Sequence, residues 1–385
     1  DQQTALNLNG KTAIVIPTPA PVNIPAGKIT LKFGIGSFIR PLPNQDQWNL
    51  LVKNFVSTDP QVGAIDLPLS NDTLDQATQD YDCFYLPYNA VPGGTLTHVL
   101  SLDPLLAADS TFSKDDIVGN IMTQLQSDGK TWALPVMMTP TLLKYDADLF
   151  AKAGVPAPTN TWSISDFVDA LKTLKATYDT PFVPMGPGGT HLLMLMAAYG
   201  GLPIDYRTNP PTVNLTDPAT IDAIRQVLDL AKNGYMKYDA LGALQAIRMF
   251  SGNNTPIPIT TDTLGGIRFV TGSGTAPTDN YKTVLYPHGT TYQAISYSIG
   301  TAYISAKTPN SDACYRWIST LSRHPEVFSG MPTRHSLIND PNTVQAKDMV
   351  AAYNQIDTML KDPNTITFPS TFQNGASPAG FLIEH

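Results

Sequence analysis

The chain has 385 residues, a formal net charge of −8 (24 Lys+Arg against 32 Asp+Glu) and only 15% charged residues. At roughly 150 residues per domain, the length points to two or three domains, with two compact halves the simplest division, and it suffices for a full core without staples. The acidic balance argues against the basic stripe of a nucleic-acid binder, and no run of about 18 apolar residues offers a membrane span.

Asp1 to Gly10 lack the basic and apolar regions of a signal peptide. Charged residues run well below the usual share of about 25%, and Thr, Asn and Pro take their place. We read this as the surface of a secreted protein whose numbering begins after a removed segment. Residues 11–27 (KTAIVIPTPAPVNIPAG) are proline-rich and favour extended polyproline II. They read as a tether that could hold a domain roughly 35–40 Å from an anchor, or as an arm lying on the domain surface.

Strand and helix patterns alternate after the tether. Ile29 to Ile35 is an apolar strand closed by Gly36. Trp48, Leu51, Val52 and Phe55 fall at i, i+3, i+4 and i+7, which predicts a helix over Gln45–Val56. Val62–Ile65 and Tyr81–Leu86 follow as short strands, an order that implies a parallel sheet with covering helices. Ser163…Asp166 resembles a capping box opening a helix to Tyr178, with Phe167, Val168, Leu171 and Leu174 inward. Asp217-Pro218 forms a cap and first helical position, Gly234 a terminator, and Ile221, Ile224, Leu228 and Ala231 the expected buried face. A helix from Ser311 should bury Cys314, Trp317, Ile318 and Leu321 and stop before Pro325, and another should cover Val344–Leu360. The run Met185–Met196 reads as core.

Cys83 and Cys314 allow one disulfide at most. One falls in a strand and the other on a buried helix face, so we expect two free buried thiols rather than a bridge. Familiar catalytic motifs fail. Gly129-Lys130-Thr131 lacks the first glycine of a phosphate loop, because Gln124 stands there. Gly34-Ile35-Gly36 lacks the third glycine of a dinucleotide fingerprint, where Ile39 stands. The six histidines form no HExxH and no i, i+4 pair, so no metal or other cofactor is expected. There is no GxSxG. Asp115-Asp116 reads as the acidic start of a helix, and Asp146 as a cap. The only glutamates are Glu326 and Glu384.

The segment Asp128–Leu174 carries Gly129-Lys130 with Trp132 and Pro135, then Tyr145 to Phe150, Ala153-Gly154 and Thr161-Trp162. These motifs, in this order, resemble the family 1 extracellular solute-binding proteins of ABC importers, the group that includes maltose-binding protein. Asp146 replaces that family's usual asparagine. Further agreement lies in Gly200-Gly201 before Asp205, in Ile221–Gly234, in Met249-Phe250-Ser251-Gly252, in Ile299–Leu321 and in Gly330-Met331-Pro332-Thr333-Arg334. The resemblance covers about residues 28–340. One departure is the stretch Thr255–Leu264, which has no tryptophan where many members place one that stacks on sugar.

The resemblance implies a two-lobed α/β fold of the periplasmic-binding-protein type II class, each lobe a mixed sheet flanked by helices, with the ligand in the cleft between. Crossovers are expected near Met138–Thr139, Ile259–Thr261 and Ala306–Thr308. Lobe 1 would then be 28–138 plus 262–305, and lobe 2 would be 139–261 plus 306–385. The expected ligand contacts lie in loops after strands: Ser37, Phe38, Arg40, Tyr88, Asn89, Thr139, Asp262, Tyr292, Tyr297 and Arg334. For each tyrosine the competing reading is a core position with a bonded hydroxyl; for Arg40 and Arg334 it is a cap or surface interaction; Trp132 is expected to pack near the hinge. Aromatic faces and short polar groups suit a neutral saccharide, while a phosphorylated polyol would use Arg40 or Arg334. Implied partners are a small solute and the transmembrane subunits of an ABC permease, for a monomeric extracellular or periplasmic protein, anchored by lipid on upstream sequence. The alternatives are an extracellular carbohydrate-active hydrolase with paired aspartates and a ligand-sensing receptor module.

Overall fold

A computed structural model of the chain describes residues 27–36, 42, 44–87, 96–184, 189–208, 210–237, 256–262 and 280–369. The Pro-rich arm lies outside them apart from its last residue, Gly27. The larger of two main sheets runs in the order Ile366–Pro369, Ala294–Ile304, Cys83–Leu86, Ile29–Gly36, Val62–Asp66, with Leu69–Ser70 paired to Ile29–Gly36 and Leu134–Pro140 paired to Ala294–Ile304. Ile29–Gly36 pairs in parallel with its neighbours Val62–Asp66 and Cys83–Leu86, as the strand–helix–strand order requires. The second sheet runs Tyr281–Val284, Leu142–Asp146, Ile259–Asp262, Phe182–Val183.

Each sheet has its own hydrophobic core. The first draws on Leu31–Leu142, Leu285 and Ile295–Met359, and the second on Leu143–Val284, Tyr286, Ile366 and Phe368. This redraws the lobes. Residues 306–361 belong to lobe 1, because Trp317, Ile318 and Leu321 of the Ser311–Leu321 helix and Tyr353 and Ile356 of the Lys347–Lys361 helix pack into the first core. Tyr281–Val284 belongs to lobe 2, because it pairs with Leu142–Asp146.

The crossovers move accordingly. The first lies at Thr141, between Leu134–Pro140 and Leu142–Asp146. Ile259–Thr261 sits wholly inside sheet two, and Ala306–Thr308 joins two elements of lobe 1. The second passage runs through 285–293, with Leu285 in one core and Tyr286 in the other. A third connection, 362–365, leads to Ile366–Pro369, which pairs in sheet one while Ile366 and Phe368 fill the second core.

Local rules hold at most ends. Asp146 accepts the amides of Asp148 and Leu149; Ser163 and Asp166 form the capping box; Asp217 caps through Thr220 with Pro218 following; and Gly234 takes φ 70°, a left-handed conformation glycine adopts without a Cβ penalty. Asp115-Asp116 instead falls in a single 3-10 turn, Lys114–Asp116, and Asp116 accepts the amide and hydroxyl of Ser336. The helix Pro218–Lys232 buries Thr220, Ala223, Val227 and Leu230, so the expected inward face is rotated.

Cys83 and Cys314 are bonded to each other, with Cα atoms 5.8 Å apart, contrary to the expectation of free thiols. Both are 0% exposed: the helix lays its Cys314 face directly on the strand bearing Cys83, a juxtaposition of residues 231 positions apart that no local pattern encodes. Near it, Asp59 accepts from the amides of Gln61 and Val62 and from Arg316 Nε at 2.6 Å, tying the end of the Gln45–Thr58 helix to the Ser311–Leu321 helix. Burial pushes the Asp59 carboxyl up, but Arg316 and the two amides outweigh it and hold it below the ordinary carboxylate value.

Two outcomes follow from these ties. Cys83→Ala should lower unfolding free energy by about 2–5 kcal/mol in urea denaturation, as should a reducing agent acting on the unfolded chain. The stability from the lowered Asp59 pKa is fully present above the ordinary carboxylate pKa and is lost as pH falls through the lower folded-state value. An acid-unfolding series of Asp59→Asn should therefore be flatter in that window, and the variant about 1–3 kcal/mol less stable at pH 7.

Candidate functional site

Ligands of open α/β sheets bind outside the carboxyl ends of the strands. In lobe 1 that edge is set by Gly36, Leu86 and Pro140. Ala294–Ile304 runs antiparallel to Cys83–Leu86, with Thr301 opposite Leu86, so residues 294–300 run on past Leu86, and only 294–296 extend beyond Pro140. Thr139 pairs with Ser298, and Pro140 with Tyr297. From lobe 2, Asp262 closes its strand opposite Leu142, beside the first crossover.

Of the expected contacts, Thr139 and Tyr297 and the backbone of Asp262 therefore meet around the Thr141 crossover. Thr139 is half-buried, its hydroxyl 3.7 Å from the Met137 sulfur. Tyr297 is buried, and its hydroxyl accepts from Gln124 Nε2 at 2.6 Å. Burial raises the Tyr297 phenol above its ordinary value, against opposing hydrogen bonds with Gln124 and Thr367. Gln124 also donates to Asn120, which makes a short polar relay at the lobe 1 edge. Tyr292 lies in the second connection, half-buried against lobe 2, with the Arg207 guanidinium 5.7 Å from its ring centre. Arg207 is held by Asp205, whose carboxyl is lowered mainly by that hydrogen bond.

Arg334 does not join this group. It is 1% exposed, donates to Ser322 and Asp116, and lies over the Phe112 ring. Burial pulls its pKa down and the Arg323 charge adds to that, against Asp116. We drop it from the candidate contacts: its guanidinium is spent inside lobe 1. Ser37, Phe38, Arg40, Tyr88 and Asn89 lie outside the described residues, immediately beyond Gly36 and Pro87.

Sequence reasoning missed Gln124, which it used only to reject a phosphate loop, and Tyr85. Tyr85 sits one residue before the end of its strand, 5% exposed, with its ring 4.4 Å from Phe328 and its phenol raised by burial. Gly300 makes room for it, since a Cβ there would come within 2.7 Å of the Tyr85 hydroxyl. Trp132 is half-buried against the first core, its indole donating to Ser127 O. Among the described residues there is no group of three potential metal ligands, and no helix is long and apolar enough to cross a membrane.

This architecture has known counterparts. The bacterial extracellular solute-binding protein family matches over residues 94–325, and the chain belongs to that family. Its fold is the two-lobed arrangement of maltose-binding-protein-like structures. An ABC substrate-binding protein from Listeria monocytogenes in complex with cycloalternan superposes with a TM-score of 0.64 at 15% identity, over 93% of this chain and 92% of that one. The GacH receptor of Streptomyces glaucescens, solved unliganded and with acarbose, gives 0.63 at 18% identity over 89% and 88%. Maltose-bound T. maritima MalE3 gives 0.65 at 16% identity over 88% and 89%. No curated sequence matches the chain.

The internal commitment of Arg334 has a measurable consequence. Arg334→Ala should cost about 2–4 kcal/mol in urea unfolding, less than a wholly buried pair because Asp116 is 24% exposed, and should leave the ligand affinity of the folded fraction unchanged in calorimetric titration.

Proposed function

We propose that this chain is the solute receptor of an ABC importer, capturing a neutral saccharide between its lobes and delivering it unchanged to the permease. The observation that carries the reading is the pair of separate hydrophobic cores, linked among the described residues by the connections at Thr141, 285–293 and 362–365 and by the Lys347–Lys361 helix, whose Asp348 accepts the Thr283 amide. Such a molecule closes by rotating rigid bodies, and a ligand touching both lobes favours the closed form. Moving the equilibrium from 1:99 to 99:1 takes about 5.5 kcal/mol of preference. No bond is made or broken.

The saccharide assignment draws support from three structural neighbours whose ligands are carbohydrates and from the polar, tyrosine-containing edge around Thr139 and Tyr297. Tryptophan is not the stacking group here. Trp48, Trp162 and Trp317 are 0%, 5% and 0% exposed inside the lobes, and Trp132 is engaged with Ser127. Sugar C–H faces would then meet the half-buried Tyr292 ring. The proposal places the protein outside the cytoplasmic membrane, as a monomer, with residues 11–27 as spacer to a lipid anchor; the Cys83–Cys314 bond suits an oxidising compartment.

A thermal-shift panel of mono- and oligosaccharides, glycerol phosphates, polyamines and ferric iron tests this directly. One saccharide at about 100 times its dissociation constant should add roughly 2.7 kcal/mol of stability, shrink the radius of gyration in X-ray scattering, and be recovered intact. Hydrolysis of the sugar would move the assignment to a carbohydrate-active hydrolase, and a shift with glycerol phosphate or iron alone would replace the cargo.

A further inference from the structure

Lobe 2 holds a cavity that the inter-lobe site does not use. Because the Pro218–Lys232 helix turns its small residues inward, Ile221 and Leu228 stay 42% and 44% exposed. Leu215, just before the helix, is likewise 42% exposed. Between Leu215 and Leu228 opens a cavity of about 170 Å³. Leu193 and Met196 of the Thr190–Ala198 helix, with Ile204, Val227 and Met236, form its walls, and Leu215 and Leu228 stand at its mouth.

The chemistry of this lining is uniform. Every side chain is aliphatic, thioether or proline, with no charge, no hydrogen-bonding group and no aromatic ring. Water needs two to four polar partners to occupy a cavity, whereas an apolar cavity of about 150 Å³ accepts a benzene-sized molecule. The charge complement of such walls is a neutral ligand. The absence of rings removes any stacking preference, and the two methionines can adapt to a flexible chain. A saccharide, with its hydroxyls, would lose hydrogen bonds to water there without replacement.

We propose that this cavity binds the end of an aliphatic chain of about five or six carbons, entering between Leu215 and Leu228 with its polar end left in solvent. The site lies within lobe 2, and none of its lining residues is among the candidate cargo contacts. A free alcohol or fatty acid and a lipid acyl chain share the required chemistry.

Titration of the full chain, carrying ¹³C-methyl methionine, with 1-hexanol tests it. The Met196 and Met236 methyl resonances should shift saturably, with a dissociation constant of about a millimolar for so small a ligand. Ile224→Phe, which fills the cavity from its rim, should weaken binding about tenfold or more, with an unchanged urea midpoint showing that the lobe is intact. Leu228→Glu, a charge at the mouth, should act in the same direction. Sedimentation with phosphatidylcholine vesicles separates the sources: Leu228-dependent co-sedimentation identifies an acyl chain, and hexanol binding without it a free molecule. Absence of a saturable shift in the unaltered chain, or equal affinity in Ile224→Phe, overturns the proposal.

Discussion

The molecule depends on one strand, Ala294–Ile304. Its last residues, Thr301–Ile304, pair with Cys83–Leu86 inside sheet one; its middle, Tyr297–Ala302, pairs with Leu134–Pro140; and its first residues, Ala294–Tyr297, pair with Ile366–Pro369. Ile299 and Tyr303 fill the first core while Ala294 leans on the second. A single backbone ladder thus fixes how three separate stretches of chain meet at the cleft edge. Since each buried backbone group needs its partner, the strand cannot shift register without exposing all three pairings.

Around that ladder, the lobes are built to resist internal change. Lobe 1 is assembled from two chain segments, joined by the Cys83–Cys314 bond, the Asp59–Arg316 pair and the contact of buried Arg334 with Asp116. Lobe 2 is nearly continuous, closed by apolar burial over 143–286 with Ile366 and Phe368 added. The proposed closure would place its motion in the connections at Thr141, 285–293 and 362–365, where hinge residues absorb backbone change while the lobes stay stiff. Capture by closure needs that contrast, because a soft lobe would dissipate the differential contacts that a ligand makes on each side.

Among the described residues, the cleft edge around Thr141 presents short polar groups, and the indoles are committed elsewhere. Tyr292 supplies half-buried aromatic surface, Tyr85 and Tyr297 are buried in the first core beneath the edge, and Thr139 and the Asn120–Gln124 pair supply short polar groups. The Arg334 guanidinium at the late turn is committed to Asp116 and Ser322 inside lobe 1 and is not available to an anion in the cleft. The apolar cavity of lobe 2 has the opposite character, so the two sites have no common ligand chemistry.

Much was legible in the sequence where information is local. Caps at Asp146, Ser163 and Asp217, the stops at Gly234 and before Pro325, and the buried Trp48, Phe55 and Trp317 follow from side-chain hydrogen bonding, backbone freedom and periodicity acting over a few residues. The ordered motifs from Gly129 to Trp162 sufficed for the family and its two-lobed fold. What tertiary structure alone decided was every relation between distant segments. The Cys83–Cys314 pairing, the burial of Arg334, the Gln124–Tyr297 bond and the placement of residues 306–361 in lobe 1 all depend on which face of one element meets which face of another. The Pro218–Lys232 helix shows why: its stripe Ile221, Ile224, Leu228 is the more hydrophobic, yet the helix approaches its neighbours through Ala223 and Val227. Periodicity reports that a helix has an apolar side, whereas close packing selects which residues are small enough to meet a neighbour.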